Sequence, residues 1–181
     1  MSAKVIELGT LPASRDPRLP VAFERLFEAE YGRVVRIAQR VLGDANEAED
    51  VAQEAFMSFY RAHPADAPFA PAWLHAAAAH GALNVLRGRK RRVARETTDA
   101  AERAASAIAD PESEAVLAEE RALIREALAR IPAKSASVLA LRYSGLSYAE
   151  VAAAIGVNAD QIGTLLRRAE EALRKEVMRH G

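Results

Sequence analysis

Apolar residues recur along this chain at steps of three and four, the spacing that gathers side chains on one face of an α-helix. Val21 to Leu42 carries Phe23, Leu26, Phe27, Tyr31, Val34, Val35, Ala38, Val41 and Leu42 mostly at that spacing. Gly43 follows where a left-handed residue ends a helix without a Cβ penalty. Asp44 or Asn46 can cap a second helix, expected from about Glu47 to Arg61, that buries Ala48, Val51, Ala52, Ala55, Phe56 and Phe59. A loop from Ala62 to Ala70, with Pro64 and Pro68, leads to a third helix opening at Pro71, where a missing N–H costs nothing. Its apolar face starts with Trp73, Leu74, Ala77 and Ala78. Three helices around one aromatic core make a first domain over residues 21–95, after a tail over 1–20 that holds Pro12, Pro17 and Pro20.

Residues 96–111 are mainly alanine and acid and read as a linker. Asp110-Pro111 is an N-cap followed by proline at the first helical position. The helix it opens is expected to bury Val116, Leu117, Leu123, Ile124, Ala127, Leu128 and Ile131, and Pro132 stops it. A short helix over about Ala133 to Tyr143 has Val138, Leu139 and Leu141 apolar, and Gly145 breaks it. Ser147-Tyr148-Ala149-Glu150 is a capping box opening another short helix with Val151, Ala152 and Ile155 inward. Gly156 then makes a turn, and Asn158 can cap a last helix to about Met178. Within 112–181 this is a helix-turn-helix pattern. Ile162, Leu166, Ala169 and Leu173 share one side of the last helix; Asp160, Thr164, Arg167 and Arg168 share the other, with Gln161 at the margin. Those five can reach a DNA groove: Arg to guanine or phosphate, Gln to adenine, Thr to a methyl or phosphate. The pattern alone leaves a plain helical hairpin with a polar outside open. The fold class is all-α: a three-helix and a four-helix domain joined by an acidic linker.

Charge changes the picture more than composition does. Twenty-five Lys and Arg balance twenty-five Asp and Glu over 181 residues, yet the signs are segregated. Arg87, Arg89, Lys90, Arg91, Arg92 and Arg95 place six cations in nine residues, and the stretch from Glu96 to Glu120 answers with eight acids against the single cation Arg103. A guanidinium cluster of that density attracts phosphate, and local field, more than total charge, steers a polyanion. Nucleic acid is therefore favoured over a merely solvated helix end, where cations also suit the terminal carbonyls. On the second helix Glu49, Asp50, Gln53 and Glu54 form one contiguous acidic strip; by pattern alone such a strip is a solvated face.

There is no cysteine, which removes disulfides and thiolate metal sites and fits a reducing cytoplasm. His63, His75, His80 and His180 lack the spacing of a helical zinc site, so neither metal nor cofactor is expected. No membrane span and no signal peptide are expected. An enzyme finds no support: there is no glycine-rich phosphate loop, no nucleophile elbow and no paired carboxylates in an apolar context.

Taken in order, GDANEAEDVAQEAFMSFYRA with AWL and a basic helix end, then IPAKSASVLALRYSGLSYAEVAAAIGV and RRAEEALRKEV, resemble the bacterial sigma-70 family of sigma factors, in its compact extracytoplasmic-function group. The resemblance spans about Phe23 to Arg95 and Glu114 to Val177. It implies a subunit without catalytic activity that binds core RNA polymerase and directs promoter-specific initiation. Glu49, Asp50, Gln53 and Glu54 fall where the family docks on the clamp helices of the largest subunit, and the flap is a further implied contact. Trp73, His80, Asn84, Arg87 and Arg91 fall in the segment that opens the minus-ten element, alongside the Ala62 to Ala70 loop. Asp160, Gln161, Thr164, Arg167 and Arg168 fall in the reader of the minus-thirty-five duplex. The implied location is the cytoplasm, and an anti-sigma partner is compatible with the family but not identified. The rival reading is a stand-alone helix-turn-helix regulator that never meets polymerase; such a protein has no use for the acidic strip. Departures from the family pattern are Ala77 and Gly81 for bulky aliphatics, His80 for Asn, Asn84 for Asp, and Gly163 and Leu165 for basic residues.

Overall fold

The computed structural model describes residues 20–96 and 111–180; the expected tail, and the linker over 97–110, lie outside the described residues, as does the side chain of Arg95. Seven helices and no strands are found among the described residues: α1 (Val21–Leu42), α2 (Ala45–Ala62), α3 (Ala70–Glu96), α4 (Pro111–Arg130), α5 (Ala133–Tyr143), α6 (Tyr148–Ile155) and α7 (Ala159–His180).

The breaks between helices follow the punctuation in the sequence. Gly43 takes a left-handed φ of 70° and returns its N–H to Gln39 O, closing α1. The Asp44 side chain then accepts from the Glu47 N–H, so Asp44, not Asn46, caps α2. Gly145 and Gly156, at φ 95° and 71°, make the turns after α5 and α6. Both halves of the Ser147 and Glu150 capping box are present at the start of α6.

Helices α1 to α3 wrap a core in which Phe59, Ile37, Leu42, Leu74, Leu83, Val34 and Val41 are fully buried. All six residues expected to face inward from α2 are buried. Phe23, Phe27, Tyr31 and Phe56 form a ring cluster at the open end of α1, with Phe23 edge-on to Phe56 at 6.2 Å. Buried His75 meets Glu30 at 2.7 Å, so its ring is satisfied inside this core.

In α4 the expected stripe is only half covered. Ala127, Leu128 and Ile131 are buried, but Val116, Leu117 and Ile124 are 55%, 46% and 47% exposed. Helices α3 and α7 pack on α4, and Val116, Leu117 and Ile124 stay uncovered among the described residues.

The two domains also lie against each other, which no sequence pattern anticipates. Helix α3 packs on α4, α5 and α6, and α1 touches α5. The buried cluster runs without a break from Phe23 to Ala169. An ion pair between Arg33 of α1 and Glu150 of α6 crosses the junction.

Candidate functional site

The acidic strip is the exposed side of α2. Burial of Ala48, Val51, Ala52, Ala55 and Phe56 on α1 and α3 fixes the rotation of the helix and turns Glu49, Asp50, Gln53 and Glu54 outward. Glu49, Asp50 and Gln53 have no hydrogen-bond or ion-pair partner among the described residues, while Glu54 accepts from the Ser58 hydroxyl at 3.0 Å and lies 3.9 Å from Arg61. The carboxylates of Glu49 and Asp50, without an internal partner among the described residues, keep their field for an external one. Beside it Val51, Ala55, Trp73, Ala77, Gly81 and Val85 line an apolar groove of about 570 Å³ between α2 and α3. The departures at Ala77 and Gly81 open that groove: a Cβ on Gly81 would come within 3.0 Å of Val51 Cγ1.

On α3, Trp73, His80, Asn84, Arg87 and Arg91 are separated by seven, four, three and four residues, which puts them in one stripe along the helix. His80, Asn84 and Arg91 are exposed and Trp73 is half-buried. Two of the basic residues are not free. Arg87 donates from Nε to Ala129 O at 3.3 Å and from Nη2 to Ile131 O at 3.4 Å, capping the end of α4. Arg89 pairs with Glu47 and reaches Leu42 O at 3.4 Å. Arg91 and Arg92 remain exposed, without a partner among the described residues. In this arrangement, therefore, Arg87 gives two of its donors to the chain itself, at a position where the family resemblance implies a DNA contact.

The structure adds aromatic residues that helix periodicity does not single out. Phe69, 49% exposed, and His63 stand with Trp73 and Phe59 in one cluster; His63 lies 5.3 Å from both Phe69 and Trp73. The available signal was an aromatic residue set in a loop between Pro68 and Pro71, where no helix face claims it.

All five expected groove residues of α7 are exposed, while Ile162 and Ala169 are buried behind them. Gln161 also accepts from the Asn158 N–H at 3.3 Å, so the cap at this turn runs from Gln161 backward, not from the Asn158 side chain as expected. Leu165 packs against the core, which explains a non-basic residue there. Gly163 is exposed, and a Cβ on it would meet only a ring carbon of Tyr148 at 3.9 Å.

Two family models cover these surfaces: sigma-70 region 2 matches residues 26–92 and sigma-70 region 4 matches residues 121–173. The RNA polymerase sigma-H factor of Pseudomonas aeruginosa is 32% identical over 165 residues, 85% of this chain and 85% of that protein. The chain belongs to the sigma-70 family. It falls in the extracytoplasmic-function group, with the ECF RNA polymerase sigma factor SigW of Bacillus subtilis 26% identical across 86% of this chain and 89% of that one. The solved structure of CnrH in complex with the cytosolic domain of CnrY shares the fold, at a TM-score of 0.53 and 21% identity over 88% of this chain and 89% of that one. This sigma factor binds core RNA polymerase and directs promoter-specific initiation; it is not an enzyme. None of its described helices is long and apolar enough to cross a membrane, and no group of three or more His, Asp or Glu able to hold a metal occurs among the described residues.

Proposed function

We propose that this sigma factor grips polymerase through Glu49, Asp50, Gln53 and Glu54, opens the minus-ten element with the α3 stripe and reads the minus-thirty-five duplex with α7. The observation that supports the docking assignment is an exposed acidic row, with Glu49 and Asp50 unpaired among the described residues, on a helix whose opposite face is buried. A carboxylate row on a helix whose backbone is already fixed accelerates encounter with a basic partner, and only its side chains remain to be ordered. Beside the α2–α3 groove it suits a basic helix that also inserts an apolar side chain.

Extruding a base from the duplex costs a few kcal/mol. The ring of exposed Phe69, backed by His63 and Trp73, is a stacking surface at the start of α3; stacking contributes about 1–3 kcal/mol per base, and the exposed cations Arg91 and Arg92, about 27 Å farther along the same helix, can hold the phosphate backbone. Arg87 joins this strip when the second domain leaves α3 and the α4 carbonyls release it. On α7, Arg167 and Arg168 contact phosphate or guanine, Gln161 and Thr164 contact base edges, and Asp160 accepts from an exposed cytosine amine. The site of action is the cytoplasm, where core polymerase and promoter DNA meet.

Reconstituted transcription on fragmented genomic DNA tests this reading. Core polymerase with this protein should yield promoter-dependent transcripts sharing two upstream elements; absence of a holoenzyme defeats it.

A further inference from the structure

Two pairs of arginines face one another across the domain junction. Arg36 and Arg40 lie one turn apart on α1, Arg121 and Arg125 lie one turn apart on α4, and together with Gln39 and Gly43 they line a cleft of about 690 Å³. None of the four forms an ion pair with a carboxylate among the described residues. Like charges one helical turn apart destabilise a helix, and here two such pairs are brought together. Desolvation, followed by the charges of Arg89 and Arg121, pushes the Arg125 guanidinium below its usual range. Its seat is fixed: a Cβ on Gly43 would fall 2.7 Å from Arg125 Nη1, so the glycine leaves room for the guanidinium at the end of α1. The carbonyls of that helix end attract cations and account for Arg89 and Arg125. They do not account for Arg36, Arg40 and Arg121, whose charge no carboxylate among the described residues answers.

We propose that this cleft is a binding site for a small, multiply charged phosphate anion, such as a nucleoside triphosphate or a short polyphosphate, held between α1 and α4. Its volume lies within the roughly 300–1,000 Å³ of small-ligand clefts. Planar guanidinium forks from two helices suit the several oxygens of a phosphate chain better than one orthophosphate. The concave position between two domains favours a compact anion over the backbone of a duplex. Because the ligand touches both domains, its binding favours their contact over their separation.

Isothermal titration of the full chain with sodium tripolyphosphate, ATP and inorganic phosphate tests the site. Tripolyphosphate should bind saturably at one site and raise the thermal midpoint, with inorganic phosphate much weaker. Equal affinity for ATP places recognition on the phosphate chain, and tighter ATP binding adds contacts from the nucleoside; either supports the site. The double variant Arg36→Gln with Arg121→Gln should lose on the order of tenfold or more in affinity, while melting no earlier than the parent because like-charge repulsion is relieved. Arg25→Gln, an exposed cation elsewhere on α1, should leave affinity unchanged. The proposal is overturned by absence of saturable tripolyphosphate binding, by an equal loss in Arg25→Gln, or by a short non-promoter duplex that displaces tripolyphosphate and depends more strongly on the same arginines.

Discussion

Glu150 ties the reading half of this sigma factor both to its own helix and to the first domain. Its carboxylate accepts the Ser147 N–H at 2.8 Å, the Ser147 hydroxyl accepts the Glu150 N–H at 3.3 Å, and its other oxygen pairs with Arg33. Helix α6 is only eight residues long and packs on α7, so the cap sets the platform on which the reading helix stands. Glu150→Ala removes the cap acceptor, about 1 kcal/mol. It also removes an ion pair whose side chains are 41% and 37% exposed, worth only about 0.5 kcal/mol after solvent screening. The sum, about 1.5 kcal/mol, lowers the thermal midpoint by roughly 3–6 °C in a chain of this size. Glu150→Gln keeps an acceptor for the cap and loses only about 0.5 kcal/mol.

The backbone and hydroxyl bonds with Ser147, ahead of Arg33, hold the Glu150 carboxyl below its ordinary 4.5. A carboxyl depressed in the folded state stabilises at pH values above its unfolded value and loses that contribution as pH falls through the folded value. Urea unfolding at pH 7 should therefore separate parent, Gln and Ala variants in that order. The gap between parent and Gln should close in acid, below the depressed value. Equal losses for Gln and Ala, or a parent-to-Gln gap that persists in acid, would refute the division between cap and charge.

Substitutions centred on Gly163, Gly81 and Arg167 test separate parts of the account. Gly163→Ala should raise stability by about 0.5–1 kcal/mol, since the position is helical and open, and Gly163→Lys should tighten duplex binding in a low-salt titration. Gly81→Ala should gain little alone, because Val51 Cγ1 lies 3.0 Å from the added carbon, but should stabilise a Val51→Ala background, as a double-mutant cycle by denaturant unfolding will read. Arg167→Ala should weaken duplex binding and, where it meets only phosphate, reduce the salt slope by about one unit; an unchanged slope removes it from the phosphate contacts.

Local signals carried the helices well. Gly43, Pro132, Gly145 and Gly156 mark real ends, and the capping box at Ser147 placed the helix-turn-helix because its two bonds are made within four residues. The six buried residues of α2 were legible because one helix face meets one core. Val116, Leu117 and Ile124 were misjudged because periodicity shows that a helix has an apolar side but not how far its neighbours extend beneath it. Arg87 looked free because its acceptors, Ala129 and Ile131, lie 42 and 44 residues away. The arginine cleft was hidden for the same reason: each pair resembles an ordinary solvated face until α1 and α4 stand together. The acidic strip shows the opposite case, where the pattern was plain and only the family resemblance gave the carboxylates a purpose.

The most direct test is a binding titration of core polymerase with the parent protein and with Asp50→Ala combined with Glu54→Ala. Both side chains are exposed and α2 keeps its buried face, so the double variant should melt close to the parent. Losing two charge-assisted contacts should weaken holoenzyme formation by on the order of tenfold or more. A folded double variant that assembles with core polymerase as tightly as the parent would contradict the claim that this carboxylate row is the grip.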